Sequence, residues 1–298
     1  MNHLPSGSTG SPLVPPFPLI RERLRQGRII PFLGSGASRD RSKRKRLPNS
    51  AILARYFARK TRFPENESRD LAKVAQYYNV VAGREPLHEE LHKVFTRDYQ
   101  NTSLHTFLAE VPVPLLIVTT NYDNLIERAF QDKARKFDVV IQTAGLTLSE
   151  QLLWWQYGNT EPIEVLSKDL DIDLDSVTVI YKMHGALDRE QPDRDQYVIT
   201  EDDYIDFLVR MIKNTAIPDI FAERFLTRPF LFLGYSLRDW NLRVVLNYIE
   251  KTLRRPKGIK SWAIQDNPSP LEKRFWQERG VEVFNMKIDD FVERLKQP

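Results

Sequence analysis

Apolar runs of strand length recur along this chain, and most end in small or polar residues. They are Arg28–Leu33, Pro114–Val118, Phe137–Ile141, Ser176–Tyr181, Phe230–Leu233, Ser261–Ile264 and Val281–Phe284. Runs this apolar, interrupted only by Asp138, Thr178 and Glu282, fit strands buried on both faces. Between them apolar positions fall at helical spacing. Ile52, Leu53, Tyr56 and Phe57 form one such stripe, with Ser50 as the expected N-cap. Three further stripes follow within 68–110: Leu71, Val74, Ala75 and Tyr78; Leu87, Leu91, Val94 and Phe95; Leu104, Phe107 and Leu108. Helices are also predicted over 19–28, 123–131, 201–214, 217–226, 239–254, 271–279 and 288–296, and a short strand over Tyr197–Ile199. The pattern leaves 145–175 unassigned. Strand–helix alternation predicts an α/β fold, a doubly wound, Rossmann-like parallel sheet covered on both faces. The uninterrupted helical stretch, about 61–110, reads as an insertion between the first two sheet strands. Residues 1–18, rich in Pro, Ser and Gly, read as a disordered tail ahead of one domain over 19–298.

Composition excludes some classes. The chain of 298 residues is 41% apolar and 28% charged, which is ordinary for a globular domain. No apolar run approaches the ~20 residues of a membrane helix. With no cysteine there is no disulfide, which fits a cytoplasmic setting. Charge is uneven. Residues 21–60 hold 13 Lys/Arg against Glu22 and Asp40, whereas 161–206 hold 14 Asp/Glu against 4 Lys/Arg. Such polarity steers anions or lets chains meet head to tail; two solvated faces are the plain alternative. The basic run Arg39–Arg46 has no interleaved aromatics, so it suggests no base-stacking platform and leaves nucleic-acid binding open.

Three short pieces sit just past predicted strand ends: Gly34-Ser35-Gly36-Ala37-Ser38, Thr119-Thr120-Asn121-Tyr122-Asp123 and Lys182-Met183-His184-Gly185. In an open parallel sheet that edge binds ligands. Glycines allow close approach to a pyrophosphate, and exposed N–H groups favour phosphate, although Arg39 stands where a third glycine would complete the dinucleotide fingerprint. Asn121 can donate and accept at once, and so hold a ribose hydroxyl or orient a water. Asp123 either contacts ligand, holds the loop or caps the helix that follows. His184 is the leading candidate for a general base, since imidazole titrates near neutrality. His88-Glu89-Glu90-Leu91-His92 matches the zinc-protease pattern, but the amphipathic helix around it favours a solvated face and no metal is expected. Asp171, Asp173 and Asp175 lack the glycine and distal glutamate of a calcium loop.

The order of these pieces resembles the Sir2 (sirtuin) family, with its Gly-Ala-Gly-type turn, Thr-Gln-Asn-x-Asp, His-Gly and a later Gly-Thr-Ser turn. Gly234-Tyr235-Ser236 stands for the last. The similarity runs from about Leu19 to Phe284. Thr120 replaces the family's Gln, Leu47-Pro48-Asn49-Ser50 stands in place of the Gly-Ile-Pro-Asp-Phe-Arg stretch, and the four-cysteine zinc module is absent. These departures resemble the divergent SIR2-like branch of prokaryotic anti-phage systems, whose members cleave NAD. The resemblance implies hydrolysis of NAD+ to nicotinamide and ADP-ribose, with Asn121 and His184 catalytic. Gly34, Ser35, Gly36, Ala37, Asp123, Gly234, Ser236 and Asp239 would bind the dinucleotide, and Asn241, Gln265 or Asp266 would lie on its adenosine side. The alternatives are an NAD-dependent protein deacylase, weakened by the missing zinc module, and a non-catalytic NAD or ADP-ribose sensor. The resemblance further implies control by homo-oligomerisation or by a partner such as a HerA-type ATPase or an Argonaute-like protein.

Overall fold

The computed structural model describes residues 14–39, 47–64, 70–143, 151–213, 217–235, 245–249, 256 and 258–297. Most of the predicted tail, the basic run beyond Arg39, and Ser236, Asp239 and Asn241 lie outside the described residues.

Nine strands form one sheet: β1 (Ile30–Leu33), β2 (Leu116–Thr119), β3 (Phe137–Gln142), β4 (Gln151–Trp155), β5 (Ile163–Leu166), β6 (Thr178–Lys182), β7 (Phe230–Leu233), β8 (Ser261–Gln265) and β9 (Val281–Asn285). Their order is β5-β4-β3-β6-β2-β1-β7-β8-β9. The seven strands from β3 to β9 in that order pair in parallel; β4 and β5 are antiparallel additions at one edge. Every residue of β1, β2, β3, β6 and β7 is buried, as their apolar runs require.

The pleat splits the core in two. On one face Phe32, Val118, Tyr181 and Phe232 pack under α7 (Glu201–Ile212) and α8 (Asp219–Thr227), through Phe207, Met211, Phe221 and Phe225. On the other, Leu33, Ile117, Ile180 and Leu231 meet α1 (Phe17–Arg25), α5 (Ser103–Ala109), α6 (Leu125–Asp132) and α10 (Ile288–Lys296). Alternate residues of one strand thus serve opposite cores. Helix α9 (Pro270–Gln277) starts with a capping box of Ser269 and Glu272.

Between β1 and β2 lie α2 (Ser50–Thr61), α3 (Leu71–Ala82), α4 (Arg84–Phe95) and α5. The first three share a separate apolar cluster that includes Phe57, Val74, Leu91 and Phe95, and it rests on Tyr122, Leu187 and Tyr197 from the loops past the sheet. Two local expectations change. Asn49, not Ser50, caps α2, its side chain accepting from Ile52 N at 2.9 Å. Residues Tyr197–Ile199 form no strand. Gln196 N and Val198 N instead bond the Ala186 and His184 carbonyls, at 2.9 and 3.0 Å, and brace the loop after β6.

The chain runs from β1 to β2, β6 and β3 on one side and to β7, β8 and β9 on the other. Its topological switch therefore falls at β1, and the loops after β1, β2, β6 and β7 converge beyond it.

Candidate active site

Loop β1 and loop β7 touch backbone to backbone. Gly36 N donates to Gly234 O at 2.9 Å. A Cβ on Gly234, where φ is +81°, would stand 2.2 Å from Ala37 N. Only glycine meets both demands, so these glycines fit two loops together. The expected N–H cradle is largely used up. Gly34, Gly36, Ala37 and Arg39 donate to Leu233, Gly234, Gly34 and Gly36 carbonyls, and Ala37 O accepts from Thr102 Oγ1 at 3.1 Å. Ser35 is the exposed residue of the turn.

Asn121 joins the loop after β2 to that turn. Its Nδ2 donates to Gly34 O and Ser38 Oγ, both at 3.0 Å. A carbonyl acceptor fixes the amide's orientation, so the side-chain oxygen remains for a ligand or water. Asp123 is buried and supports both loops, accepting from Ser38 Oγ at 2.9 Å and Leu125 N at 3.1 Å. Burial pushes its carboxyl above the usual range, against the pull of the nearby Lys182 ammonium. Of the three roles open to Asp123, these contacts are those of loop holder; the N-cap position of α6 is Asn124, with no side-chain cap bond.

Thr120 and Tyr235 are paired by their hydroxyls at 2.8 Å, and Tyr235 OH also donates to Leu33 O at 2.9 Å. A phenol has one hydrogen, so with it on Leu33 O the Thr120 hydroxyl donates to Tyr235.

His184 is 4% exposed, edge-on to the rings of Tyr204 and Phe207. Burial holds its pKa down to about 3, so the imidazole is neutral near pH 7. Its Nε2 is buried without a partner. Gly185 follows with φ +86°, and a Cβ there would lie 2.1 Å from Gln196 O.

Two cavities open on these residues. The inner, about 110 Å³, is lined by Asn121, Asp123, His184, Thr120, Phe95 and Tyr204 among others. The outer, about 400 Å³, is lined by Gly36, Gly234, Tyr235, Gln265, Asp266 and Lys287 among others. Ser35 and Ser50 border both. Asn121 and His184 thus share the inner cavity, Gly36, Gly234, Gln265 and Asp266 the outer, and Gly34 and Ala37 line neither. Sequence reasoning missed Ser38, Ser50, Tyr204 and Tyr235 as site residues. Ser38 closes the very run Gly34–Ser38 and was the most legible of them; Ser50 was hidden by its reading as a helix cap.

The His88/His92 pair does not converge. His88 faces Tyr197 edge-on with centroids 5.1 Å apart, while His92 Nδ1 meets Asp195 Oδ2 at 2.8 Å. Glu89 is exposed beside Lys93. No group of three metal-ligating side chains occurs among the described residues.

Comparison with known proteins decides the family, because the model of the SIR2-like domain matches residues 115–284, more than half of the chain. The chain belongs to the SIR2-like family. It is 25% identical over 294 residues to defense-associated sirtuin 2 of Bacillus subtilis, covering 92% of this chain and 25% of that protein. It is 32% identical over 219 residues to the NAD(+) hydrolase ThsA of Enterococcus faecium, covering 70% of this chain and 39% of that one. With ThsA of Bacillus cereus (strain MSX-D12) the identity is 28% over 247 residues, covering 81% and 45%. The chain therefore spans between a quarter and under half of the length of these relatives. The SIR2-like match takes in the Asn121, His184 and Gly234 loops, while the Gly34–Ser38 turn precedes it.

Proposed function

We propose that this SIR2-like chain hydrolyses NAD+ to nicotinamide and ADP-ribose, as part of anti-phage defence by NAD depletion. The supporting observation is the pair of cavities that meet at Ser35 and Ser50, with Asn121 and His184 on the inner one. A dinucleotide laid across them has its adenosine in the larger cavity, its pyrophosphate over Ser35 and its nicotinamide ribose in the smaller. The names of the hydrolase relatives and of the defense-associated sirtuin support substrate and setting.

Water adds to the anomeric carbon of the ribose, the C–N bond breaks with its electron pair going to nitrogen, and nicotinamide leaves neutral. One proton is released. A neutral leaving group needs no strong acid. The site has to keep out bulk water and hold the sugar as positive charge develops. A neutral His184 accepts a hydrogen bond from a ribose hydroxyl or the attacking water, and the side-chain oxygen of Asn121 orients the same group. Cleavage gated by homo-oligomer assembly, or by a partner such as a HerA-type ATPase or an Argonaute-like protein, completes this reading. Ungated NAD loss would be lethal to the host.

Incubating the purified chain with NAD+, with and without an acyl-lysine peptide, tests the proposal. Free nicotinamide and ADP-ribose without peptide are expected. Release only with peptide would make it a deacylase, and binding without release would make it a sensor. Light scattering and turnover across a salt series test the gating. A monomer with full turnover at low salt would remove it.

A further inference from the structure

Lys182, the last residue of β6, is only 1% exposed, although it carries an ammonium group in the middle of a nine-stranded sheet. It lines neither cavity. All three of its N–H donors have acceptors. Nζ lies 2.6 Å from Asp123 O, 3.5 Å from Tyr122 O and 2.6 Å from Glu127 Oε1. The first two acceptors are main-chain carbonyls of the loop that carries Asn121. The third is on α6, the helix that loop enters. Lys182 itself is two residues before His184.

Stability alone does not account for such a group. Taking both charges out of water costs several kcal/mol per ion, and apolar residues of similar volume often do as well or better. Glu127 Oε2 is in fact buried with no partner, so the ion pair is incompletely satisfied. What an apolar side chain cannot supply is the grip on two carbonyls. The 120–124 loop is also held by the bonds of Asn121 and Asp123 to Gly34 and Ser38, by Thr120 to Tyr235, and at Tyr122, whose carbonyl accepts from Leu187 N at 3.1 Å and whose hydroxyl donates to Val198 O at 2.6 Å. The Asp123 carbonyl is the point that Lys182 grips closely, at 2.6 Å. Lys182 holds it from the sheet side.

We infer that Lys182 is a positioning residue. Through the Asp123 and Tyr122 carbonyls it fixes the Asn121 loop relative to His184, and so sets the gap in which the ribose and the attacking water must fit. The inference rests on the proposed hydrolysis for its catalytic consequence, but its structural content stands apart from it. Misplacing one of two cooperating groups by about 1 Å costs roughly a hundredfold in rate.

The test compares wild type with Lys182→Met/Glu127→Met, which removes both charges together, and with Lys182→Gln/Glu127→Met, which returns an amide NH₂ with two N–H donors without charge. Thermal melting, amide hydrogen exchange, affinity for ADP-ribose and NAD+ turnover are measured on each. For the Met/Met variant the expected result is a melting temperature at or above wild type, with faster exchange confined to residues 119–125 and 34–39. Turnover falls about a hundredfold while ADP-ribose affinity changes less than threefold. The Gln variant should recover part of both exchange protection and turnover, and it decides the question if the Met/Met variant does not fold. Unchanged exchange in 119–125 overturns the inference, as does turnover within twofold of an active wild type. If wild type releases no nicotinamide, the hydrolase reading fails and the exchange data alone decide the role of Lys182.

Discussion

His184 and Phe207 meet edge to face, their ring centroids 5.0 Å apart and their planes at 81°. Phe207 belongs to α7, which packs on the sheet, so the orientation of the imidazole is set by the core. Tyr204, one turn earlier on the helix, adds a second edge at 5.8 Å. The imidazole is therefore a fixed, desolvated acceptor. His184→Ala should fold and lose NAD+ cleavage by about 10²- to 10³-fold, the range for removing one pre-placed polar group from a site rather than a base titrating near neutrality. His184→Phe, which keeps the aromatic packing, should be equally inactive. Nicotinamide release by either purified variant near the wild-type rate would remove His184 from the mechanism.

Asn121 carries a double load, and its variants should show it. Asn121→Ala loses the bonds to Gly34 O and Ser38 Oγ as well as the free oxygen. Gly34 O keeps Ala37 N and Ser38 Oγ keeps Asp123, so the loss is that of two hydrogen bonds, on the order of 1 kcal/mol each, and a lower melting temperature is expected along with lost cleavage. Asn121→Asp keeps an oxygen but sets a charge against the Gly34 carbonyl, and it should be no better. A fully active, fully stable Asn121→Ala would show that neither load matters.

Buried histidines make the fold acid-sensitive at mild pH. Burial lowers the pKa of His184 to about 3 and those of His105 and His88 to about 4, from an ordinary value near 6.5. Below pH ~6.5 the unfolded chain binds protons that the folded chain refuses, so stability falls as pH falls through that window. Buried Asp123 and Asp195 act in the opposite sense, since burial raises their carboxyls and the folded chain then takes up protons more readily than the unfolded one. Between pH 7.5 and 5.5 a fully buried histidine should cost on the order of 1 kcal/mol. Denaturant midpoints at the two pH values check this, and His184→Phe should show a shallower decline. A midpoint independent of pH would mean that the imidazoles are solvated.

Much of this fold could be read from the strand runs, because a strand buried on both faces shows as a largely apolar stretch, even where it carries Asp138 or Thr178. Strands β4 and β5 escaped because they are half exposed, with Glu164 and Ile163 both facing solvent. Their anchor is Asp138, which accepts from Trp154 Nε1 at 2.8 Å and Tyr157 N at 2.9 Å, and no periodicity reveals such a bond. At the site, the loop positions of Asn121 and His184 were legible from the strands before them. The two-sided use of Asn121, the contact of Gly36 with Gly234 and the carbonyl grip of Lys182 were not. Each joins residues from separate crossovers, and sequence spacing carries no record of that.

The HExxH pattern gives the last prediction. His88 and His92 lie one turn apart on α4, but they face different groups: His88 packs edge-on to the Tyr197 ring with its Nε2 buried and unbonded, and His92 Nδ1 meets the Asp195 carboxylate. Asp195 also accepts from Asp188 N at 2.7 Å and Tyr197 OH at 2.7 Å, so this histidine pair ties the helical layer to the loop that begins at His184. NAD+ cleavage should therefore survive extensive chelation with EDTA. His88→Ala should keep turnover within a few-fold of wild type. His92→Ala leaves the buried Asp195 short of a partner and should lower the melting temperature instead. Loss of cleavage on chelation with recovery by zinc alone would overturn this and make α4 a metal-binding helix.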